Sequence, residues 1–398
     1  MVVKSGYKQT EVGVIPDDWD VSYVGDSFDV CNQLRLPLSQ SVRERMSGSY
    51  PYYGPTSVQG WINEYRVEGK YALIGEDGDH FLKWRSQPMT LLAEGKFNVN
   101  NHAHLVKGTK NLTEWFYWYF VNRDLTSHLT RQGASRYKLK KATLLQIPCV
   151  LPKLAEQRAI AAALSDVDAL LGALERLIAK KRDLKQAAMQ QLLTGQTRLQ
   201  GFHGEWEVKR LGEVVEIDPE NLSSDTKPSF AFNYIALEDV DRGFLRSHSR
   251  QLFANAPSRA RRKLQADDVL VSTVRPNLKS HLLFRIESGN WVCSTGFCVV
   301  RCRQGITHPG YVFSHLFASC VNRQIETLLT GSNYPAINSG DVRALEIPLP
   351  TYAEQTAIAA VLTDMDTELA SLEQRLAKTR ALKQGMMQEL LTGRTRLL

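Results

Sequence analysis

Several features are scarce or missing in this 398-residue sequence, and each one excludes a class of protein. No apolar run approaches the roughly 18 residues of a membrane-spanning helix, and Met1 to Thr10 lack the apolar core of a signal peptide. A soluble, cytoplasmic chain is expected. There are six cysteines: Cys31, Cys149, Cys293, Cys298, Cys302 and Cys320. Cys298 and Cys302 are four apart, but no second Cys or His pair stands at zinc spacing, so the thiols read as buried or incidental ones in a reducing compartment. Phosphate-binding and dinucleotide-binding glycine loops are missing. An adenine methyltransferase needs an Asn/Asp-Pro-Pro-aromatic loop, and the nearest string, Asp218-Pro219-Glu220, lacks the second proline and the aromatic. A metal-dependent nuclease needs Asp near Glu-x-Lys, and Glu207-Val208-Lys209 has no acidic partner placed around it. His102 and His104 lack a third ligand and read as structural. No enzyme is legible.

What is present begins with charge. The net charge is +7, hydrophobic residues make up 43% and charged residues 23%, which fits a soluble globular chain that tolerates a polyanionic partner. The distribution says more than the total. Arg131, Arg136, Lys138, Lys140 and Lys141 crowd one segment; Arg259, Arg261, Arg262 and Lys263 crowd another. One such run is usually only a solvated face, but a run in each half of the chain points toward nucleic acid.

The halves are duplicated. At an offset of 198 residues, 30 of the 49 positions from Leu151 to Leu199 are identical to Leu349–Leu397 without a gap. Ala155-Glu156-Gln157 falls on Ala353-Glu354-Gln355, Lys185-Gln186 on Lys383-Gln384, and Leu192-Leu193-Thr194-Gly195 on Leu390-Leu391-Thr392-Gly393. Each copy predicts one long amphipathic helix. Ile160, Leu164, Val167, Leu171, Leu174 and Ile178 step by four and three, as do Ile358, Leu362, Met365, Leu369, Leu372 and Leu376, which is a coiled-coil seam. Pro152 and Pro350 end the preceding extended segments, Thr351 and Glu354 form a capping-box pattern, and Gly195 and Gly393 suit helix C′ positions. A helix over Ala155–Leu193 would be roughly 58 Å long. Neither helix can hide its seam alone, so the two are expected to pair.

A globular unit precedes each helix, 1–150 and 201–350, with 151–200 and 351–398 as the helical segments. The first unit promises short strands and long loops, with one helix across 112–129 carrying Trp115, Phe116, Trp118, Tyr119 and Phe120 as core. The second promises a strand from Val269 to Val274 launched from the acidic turn Asp267-Asp268, strands at Trp291–Cys293 and Phe297–Val300, a helix over 310–329 and a closing strand over Leu345–Pro350. Polar loops carry residues suited to DNA. Tyr53, Thr56 and Gln59 sit in one; Arg275, Asn277, Lys279 and Ser280 follow the strand at Val269; Ser332, Asn333 and Tyr334 precede the closing strand. Arg, Lys, Asn and Gln hydrogen-bond base edges, and hydroxyls hold phosphates. For any one of them, an ordinary polar loop residue is the commoner reading.

The twice-written Pro-x-x-Ala-Glu-Gln…Leu-Leu-Thr-Gly…Thr-Arg-Leu segment resembles the specificity (S) subunit of Type I restriction-modification systems, and the resemblance covers essentially the whole chain. Tyr52-Tyr53-Gly54-Pro55-Thr56, Ile74-Gly75-Glu76-Asp77-Gly78 and Asn100-Asn101-His102-Ala103-His104 are similar to one subclass of target-recognition domain. Asp268–Pro276 and Ser294-Thr295-Gly296-Phe297 are similar to another. The resemblance implies an α+β chain: two α/β target-recognition domains separated by two long antiparallel coiled-coil helices, a pseudo-two-fold tandem repeat. Each domain would read half of a bipartite site on double-stranded DNA, and helix length would set the unread spacer. Two methyltransferase (M) subunits holding S-adenosylmethionine and restriction (R) subunits using ATP and Mg would supply all catalysis, with no cofactor or metal in this chain. On this reading DNA contact falls to Tyr53, Thr56, Gln59, Asn101, Arg131, Arg136, Lys138, Lys140, Arg259, Arg261, Arg262, Ser272, Arg275, Asn277, Lys279, Asn333 and Tyr334. Subunit binding and helix pairing fall to Glu156, Gln157, Ile160, Leu164, Val167, Leu171, Leu174, Glu354, Gln355, Ile358, Leu362, Met365, Leu369 and Leu372. A Type IIB-like methyltransferase–nuclease recognition subunit shares the architecture. The alternative from another class is a coiled-coil scaffold that reads no sequence.

Overall fold

A computed structural model describes residues 5–132, 136–330 and 335–397, with the side chains of Gln132 and Arg136 left out. Its contacts divide the chain into two compact units, Met1–Leu174 with Arg375–Leu398, and Glu175–Gln374. The division cuts through both long helices rather than falling at their ends. Each unit therefore holds one globular domain and a part of each helix. The helices themselves run over Leu154–Leu193 and Tyr352–Leu390, within a residue or so of the periodic pattern. Among the described residues, no helix is long and apolar enough to cross a membrane.

The first unit is built on a six-stranded sheet in the order Phe28–Val30, Ala103–Gly108, Val67–Gly75, Thr90–Val99, Ser47–Tyr53, Val58–Ile62. Neighbours are antiparallel except the pair Ser47–Tyr53 and Thr90–Val99. Tyr71-Ala72-Leu73-Ile74 is wholly buried because this strand lies at the centre of the sheet, with apolar cores on both faces. The aromatic helix is shorter than the sequence suggests, Thr113–Phe120, and Trp115, Phe116, Trp118 and Tyr119 are core as expected. Trp115 donates its indole N–H to the Val150 carbonyl at 2.7 Å, which satisfies its one polar atom in the interior.

The second unit is assembled differently. It has two four-stranded sheets: Val215–Ile217, Phe297–Cys302, Val269–Ser272 and Leu282–Leu283 in one, and Ser249–Leu252, Ala231–Ile235, Trp291–Ser294 and Ala260–Leu264 in the other. The expected helix over 310–329 is two helices, Pro309–His315 and Ser319–Leu328. They are separated where Leu316 and Phe317 close i→i+3 bonds to Phe313 and Ser314 and the chain turns at Ala318. In both units the opening and closing strands pair antiparallel, Asp20–Tyr23 with Pro148–Leu151 and Glu207–Arg210 with Glu346–Leu349. That pairing delivers the chain to the start of each long helix.

Within each unit the long helices run antiparallel. Lys383 reaches Asp168 at 2.5 Å in the first unit; in the second, Lys185 pairs with Asp366 and Lys181 with Glu368 at 2.7 Å. The Asp168–Lys383 and Asp366–Lys185 pairs are the same two repeat positions with roles exchanged. The seam differs from a plain coiled coil in one respect. Ile160 and Leu164 belong to the core with Trp19, Trp115 and Val150, and Ile358 and Leu362 to the core with Tyr311, Val312 and Leu345. The first turns of each helix thus pack on a domain. Leu174, Ile178 and Leu369 are buried further along, with Val167, Leu171, Met365 and Leu372 half-buried.

Glu156 and Gln157, with their copies Glu354 and Gln355, are not available for subunit binding as the resemblance suggested. All four are buried, and their partners lie inside their own unit. Gln157 accepts from Leu112 N and donates to Asn111 Oδ1 and Pro152 O; Gln355 accepts from His308 N and donates to Ile306 O and Pro350 O. Each glutamate is the centre of a clasp. Glu156 takes two hydrogen bonds from the Arg396 guanidinium, at 2.6 and 2.8 Å, and one from the Trp19 indole at 2.9 Å. Glu354 takes the same from Arg198, at 2.6 and 2.7 Å, and from Trp206 at 3.2 Å. Glu354 therefore does not complete a capping box; only the Thr351 hydroxyl contacts its backbone N–H, at 3.4 Å. Gly195 and Gly393 stop the helices at φ +71 and +70, where a Cβ on Gly393 would meet Pro16 at 2.5 Å.

Candidate nucleic-acid interface

In the first unit the polar loops converge on Glu76. Arg35 binds its carboxylate at 2.5 Å and Lys138 at 3.1 Å; burial opposes the charge, but Arg35 and Lys138 outweigh it and hold the carboxyl below its ordinary range. His104 is fully buried. It accepts from Asn32 Nδ2 at 2.9 Å and donates to Leu139 O at 2.8 Å, which fixes the neutral Nε2–H tautomer, and burial lowers its pKa. His102 pairs with Asp77 at 2.9 Å. Both histidines are thus tied into loop geometry. Around this framework Asn101, Gln59, Arg131 and Lys140 are exposed, Tyr53 and Thr56 half-buried. Gln59 accepts from the Asn100 amide at 3.1 Å, and Tyr53 stacks edge-on to Phe97. Lys138 is held by Glu76 and does not stand free.

Sequence reasoning missed two aromatic features at the outer strands of the same sheet, on opposite faces because Tyr50 pairs with Ile62 rather than with Trp61. Trp61 is 56% exposed on the edge strand, Tyr50 and Tyr65 pack at 5.0 Å, and Lys96 sits 4.6 Å over the Tyr65 ring. Exposed rings beside cations suit stacking and backbone contact with nucleic acid. The available signal was the alternation of Val58-Gln59-Gly60-Trp61-Ile62, which puts Trp61 on the face opposite Ile62.

In the second unit the loop after Val269–Ser272 is held at both ends. Ser272 N donates to His281 Nδ1 at 3.1 Å, Thr273 hydroxyl to Gly296 O at 2.8 Å, and Arg275 N to Pro335 O at 2.7 Å. Arg275 and Lys279 flank the turn Pro276–Leu278 with φ +50 and +58, a conformation that costs non-glycine residues on the order of 1 kcal/mol each. Arg275 and Asn277 are exposed and Lys279 half-buried. Arg259 is exposed as well.

Three assignments change. Ser272 is buried and its hydroxyl donates to Val274 O at 2.9 Å, so it shapes the loop and does not face a ligand. Arg262 is bound to Asp218 at 2.9 Å and its neighbour Lys263 to Glu220 at 2.8 Å, so half of the basic run is neutralised by acids some forty residues earlier in the chain. Arg261 lies over the Phe253 ring at 5.1 Å. Asn333 and Tyr334, and the side chain of Arg136, lie outside the described residues. No group of three or more side chains suited to a metal ion is gathered among the described residues.

The profile of the Type I restriction modification DNA specificity domain matches twice, over residues 16–182 and 203–379. The chain belongs to this specificity family. A Haemophilus influenzae protein provisionally named a type I restriction enzyme specificity subunit is 38% identical over 143 residues, covering 36% of this chain and 35% of that relative. A Methanocaldococcus jannaschii protein provisionally named the MjaX specificity subunit is 25% identical over 431 residues, covering 99% and 97%. The crystal structure of the Type I restriction-modification S subunit from M. genitalium shares the fold, with a TM-score of 0.63 at 14% identity over 98% of each chain.

The buried histidines of this specificity chain should make its second unit acid-sensitive. Burial lowers His315 to about 3 and His281 to about 4, and among the described residues no partner satisfies either His315 nitrogen or His281 Nε2. Unfolded, both bind protons below about 6.5, so stability is fully present above that pH and declines as pH falls toward the folded values. At pH 5 each costs at most about 2 kcal/mol. Melting the protein from pH 7.5 to 5 should show the second unit losing stability first. His315→Phe should remove about half of that decline; an unchanged slope would show that His315 is not the source.

Proposed function

We propose that this chain is the non-catalytic, sequence-reading subunit of a Type I restriction-modification complex, each domain contacting one half of a bipartite site on double-stranded DNA. One observation carries the reading. The clasp, the buried glutamines and the exchanged Asp–Lys pairs are repeated residue for residue, whereas the sheets they hold differ in strand number and topology. A duplicated scaffold with unlike domains suits two different half-sites. The exposed cations supply the salt-dependent phosphate term and the loop amides, rings and guanidiniums the base readout.

Methyltransferase subunits would supply S-adenosylmethionine chemistry, and restriction subunits the ATP- and Mg-dependent steps. Leu177 and Leu184, exposed seven residues apart on the first long helix within the second unit, support protein docking there. The expected result is that the purified chain transfers no label from S-adenosylmethionine to DNA, and that labelling begins when a partner methyltransferase subunit is added. Labelling of DNA by this chain alone would overturn the assignment.

A further inference from the structure

The second unit contains a cavity of about 620 Å³, walled by both long helices, the helix Pro309–His315 and the hairpin Val240–Leu245. All of its lining belongs to the one unit. Its volume lies in the range of pockets that take small organic ligands. Three cations line it, Arg242, Lys279 and Arg285, and among the described residues none has a carboxylate partner. Three rings line it too: Phe244, which is 57% exposed, and Phe313 and Phe317, packed edge to face at 5.1 Å. Arg182 and Lys185 also face the cavity, but each is bound to a carboxylate, Glu373 and Asp366 respectively, so Asp366 brings no free negative charge.

The backbone places these groups deliberately. Arg242 and Gly243 form the two-residue turn of the hairpin with φ +44 and +94, the positive pair a type I′ turn requires. Gly243 N donates to His281 O at 2.9 Å, and a Cβ at Gly243 would come within 3.2 Å of the Phe313 ring. Glycine lets the hairpin tip close onto the helix, which brings Arg242 and Phe244 to the cavity from one side. Lys279 arrives from the other, in the left-handed conformation that ends the Pro276–Leu278 turn. Two of the three unpaired cations are thus held in strained backbone, a cost that persists only where surrounding structure demands it.

We propose that this cavity binds a nucleoside phosphate, with the planar base against Phe244, Phe313 and Phe317 and the phosphate on Arg242, Lys279 and Arg285. An isolated phosphate would leave the rings unused, and an uncharged ring would leave three unpaired cations facing it. A nucleotide meets both. The same chemistry has two sources, a free nucleotide or a nucleotide unstacked from bound DNA. The inference does not rest on the DNA-reading assignment, because a free nucleotide can bind here whether or not the chain reads a site.

The test is calorimetric titration of the full-length chain with ATP, AMP, adenosine and inorganic phosphate. ATP and AMP should bind, with adenosine and phosphate each weaker by about tenfold or more. Arg285→Glu should weaken ATP by about tenfold, and Phe244→Ala by about fivefold or more, as expected for loss of a stacking ring. Both side chains are exposed, so circular dichroism should show the variants folded. A DNA duplex carrying one unpaired nucleotide separates the sources. Displacing ATP better than the intact duplex identifies a DNA nucleotide as the occupant; no advantage identifies a free nucleotide. Three results would overturn the proposal: no ATP binding at about 5 mM together with no preference for the unpaired duplex, phosphate binding as tightly as ATP, or ATP affinity indifferent to both substitutions. Failure of the DNA-reading assignment would appear separately, as loss of duplex binding with ATP binding intact.

Discussion

Replacing Glu156 by alanine should destabilise the first unit by about 3–5 kcal/mol, the usual cost of removing one partner from a buried ion pair. Glu156 is 3% exposed and accepts from both Arg396 and Trp19. Without it, the Trp19 indole N–H is left in the core with no acceptor, and the Arg396 guanidinium keeps only Asp18, two bonds of 2.8 Å at the surface. Arg396 holds the Asp18 carboxyl below its ordinary range, but that carboxylate is too exposed to replace a buried one. For a unit of this size the loss corresponds to a melting point lower by roughly 6–20 °C. Glu156→Gln keeps an acceptor for Trp19 and should cost less. Glu354→Ala should do to the second unit what Glu156→Ala does to the first, because Arg198 and Trp206 repeat the arrangement. Differential scanning calorimetry resolves the effect, and a shift under about 2 °C for Glu156→Ala would show that the clasp is ornamental.

Exchanging residues 201–350 for the corresponding segment of another specificity subunit should replace one half of the methylated motif completely and leave the other half untouched. The two domains differ in sheet number and strand order, so on the proposed reading each recognises its own half-site independently. The graft leaves in place Arg198, Glu354, Gln355 and both long helices. Trp206 and the strand Glu207–Arg210 lie inside the graft, so the donor must carry a tryptophan at that position for Glu354 to keep its indole partner. Genome-wide mapping of methylated adenine reads the outcome. A change in both halves would mean that the domains read cooperatively, and no change would mean that the grafted domain does not contact bases.

Part of this molecule is legible residue by residue. The two long helices were readable because their period, their glycine stops and their preceding prolines are local signals. So were the strand Val269–Ser272 and the burial of Trp115 and Trp118. The candidate DNA-contact residues were less legible. Arg262 and Lys263 look like a basic patch in sequence, but Asp218 and Glu220 reach them from the loop that follows the strand Val215–Ile217. A run of charge reports what a segment carries, not what folds against it. Ser272 was misread for the same reason, its hydroxyl being turned back to Val274 by the loop. Trp61 went unseen because a tryptophan is usually core, and only its place on an edge strand exposes it.

The duplication, the two helices and their limits are determined by the sequence alone. The pairing of their ends is not. Arg198 and Glu156 belong to one repeat, Arg396 and Glu354 to the other, and the chemistry of either arginine suits either glutamate. Tertiary structure decided that Arg198 binds Glu354 and Arg396 binds Glu156. The physical reason is rigidity. Glu156 lies in the first turn of the helix Leu154–Leu193 and Arg198 follows its last turn, so one unbroken helix holds them at its opposite ends. Each glutamate must therefore be met by the arginine of the other copy, arriving on the antiparallel helix.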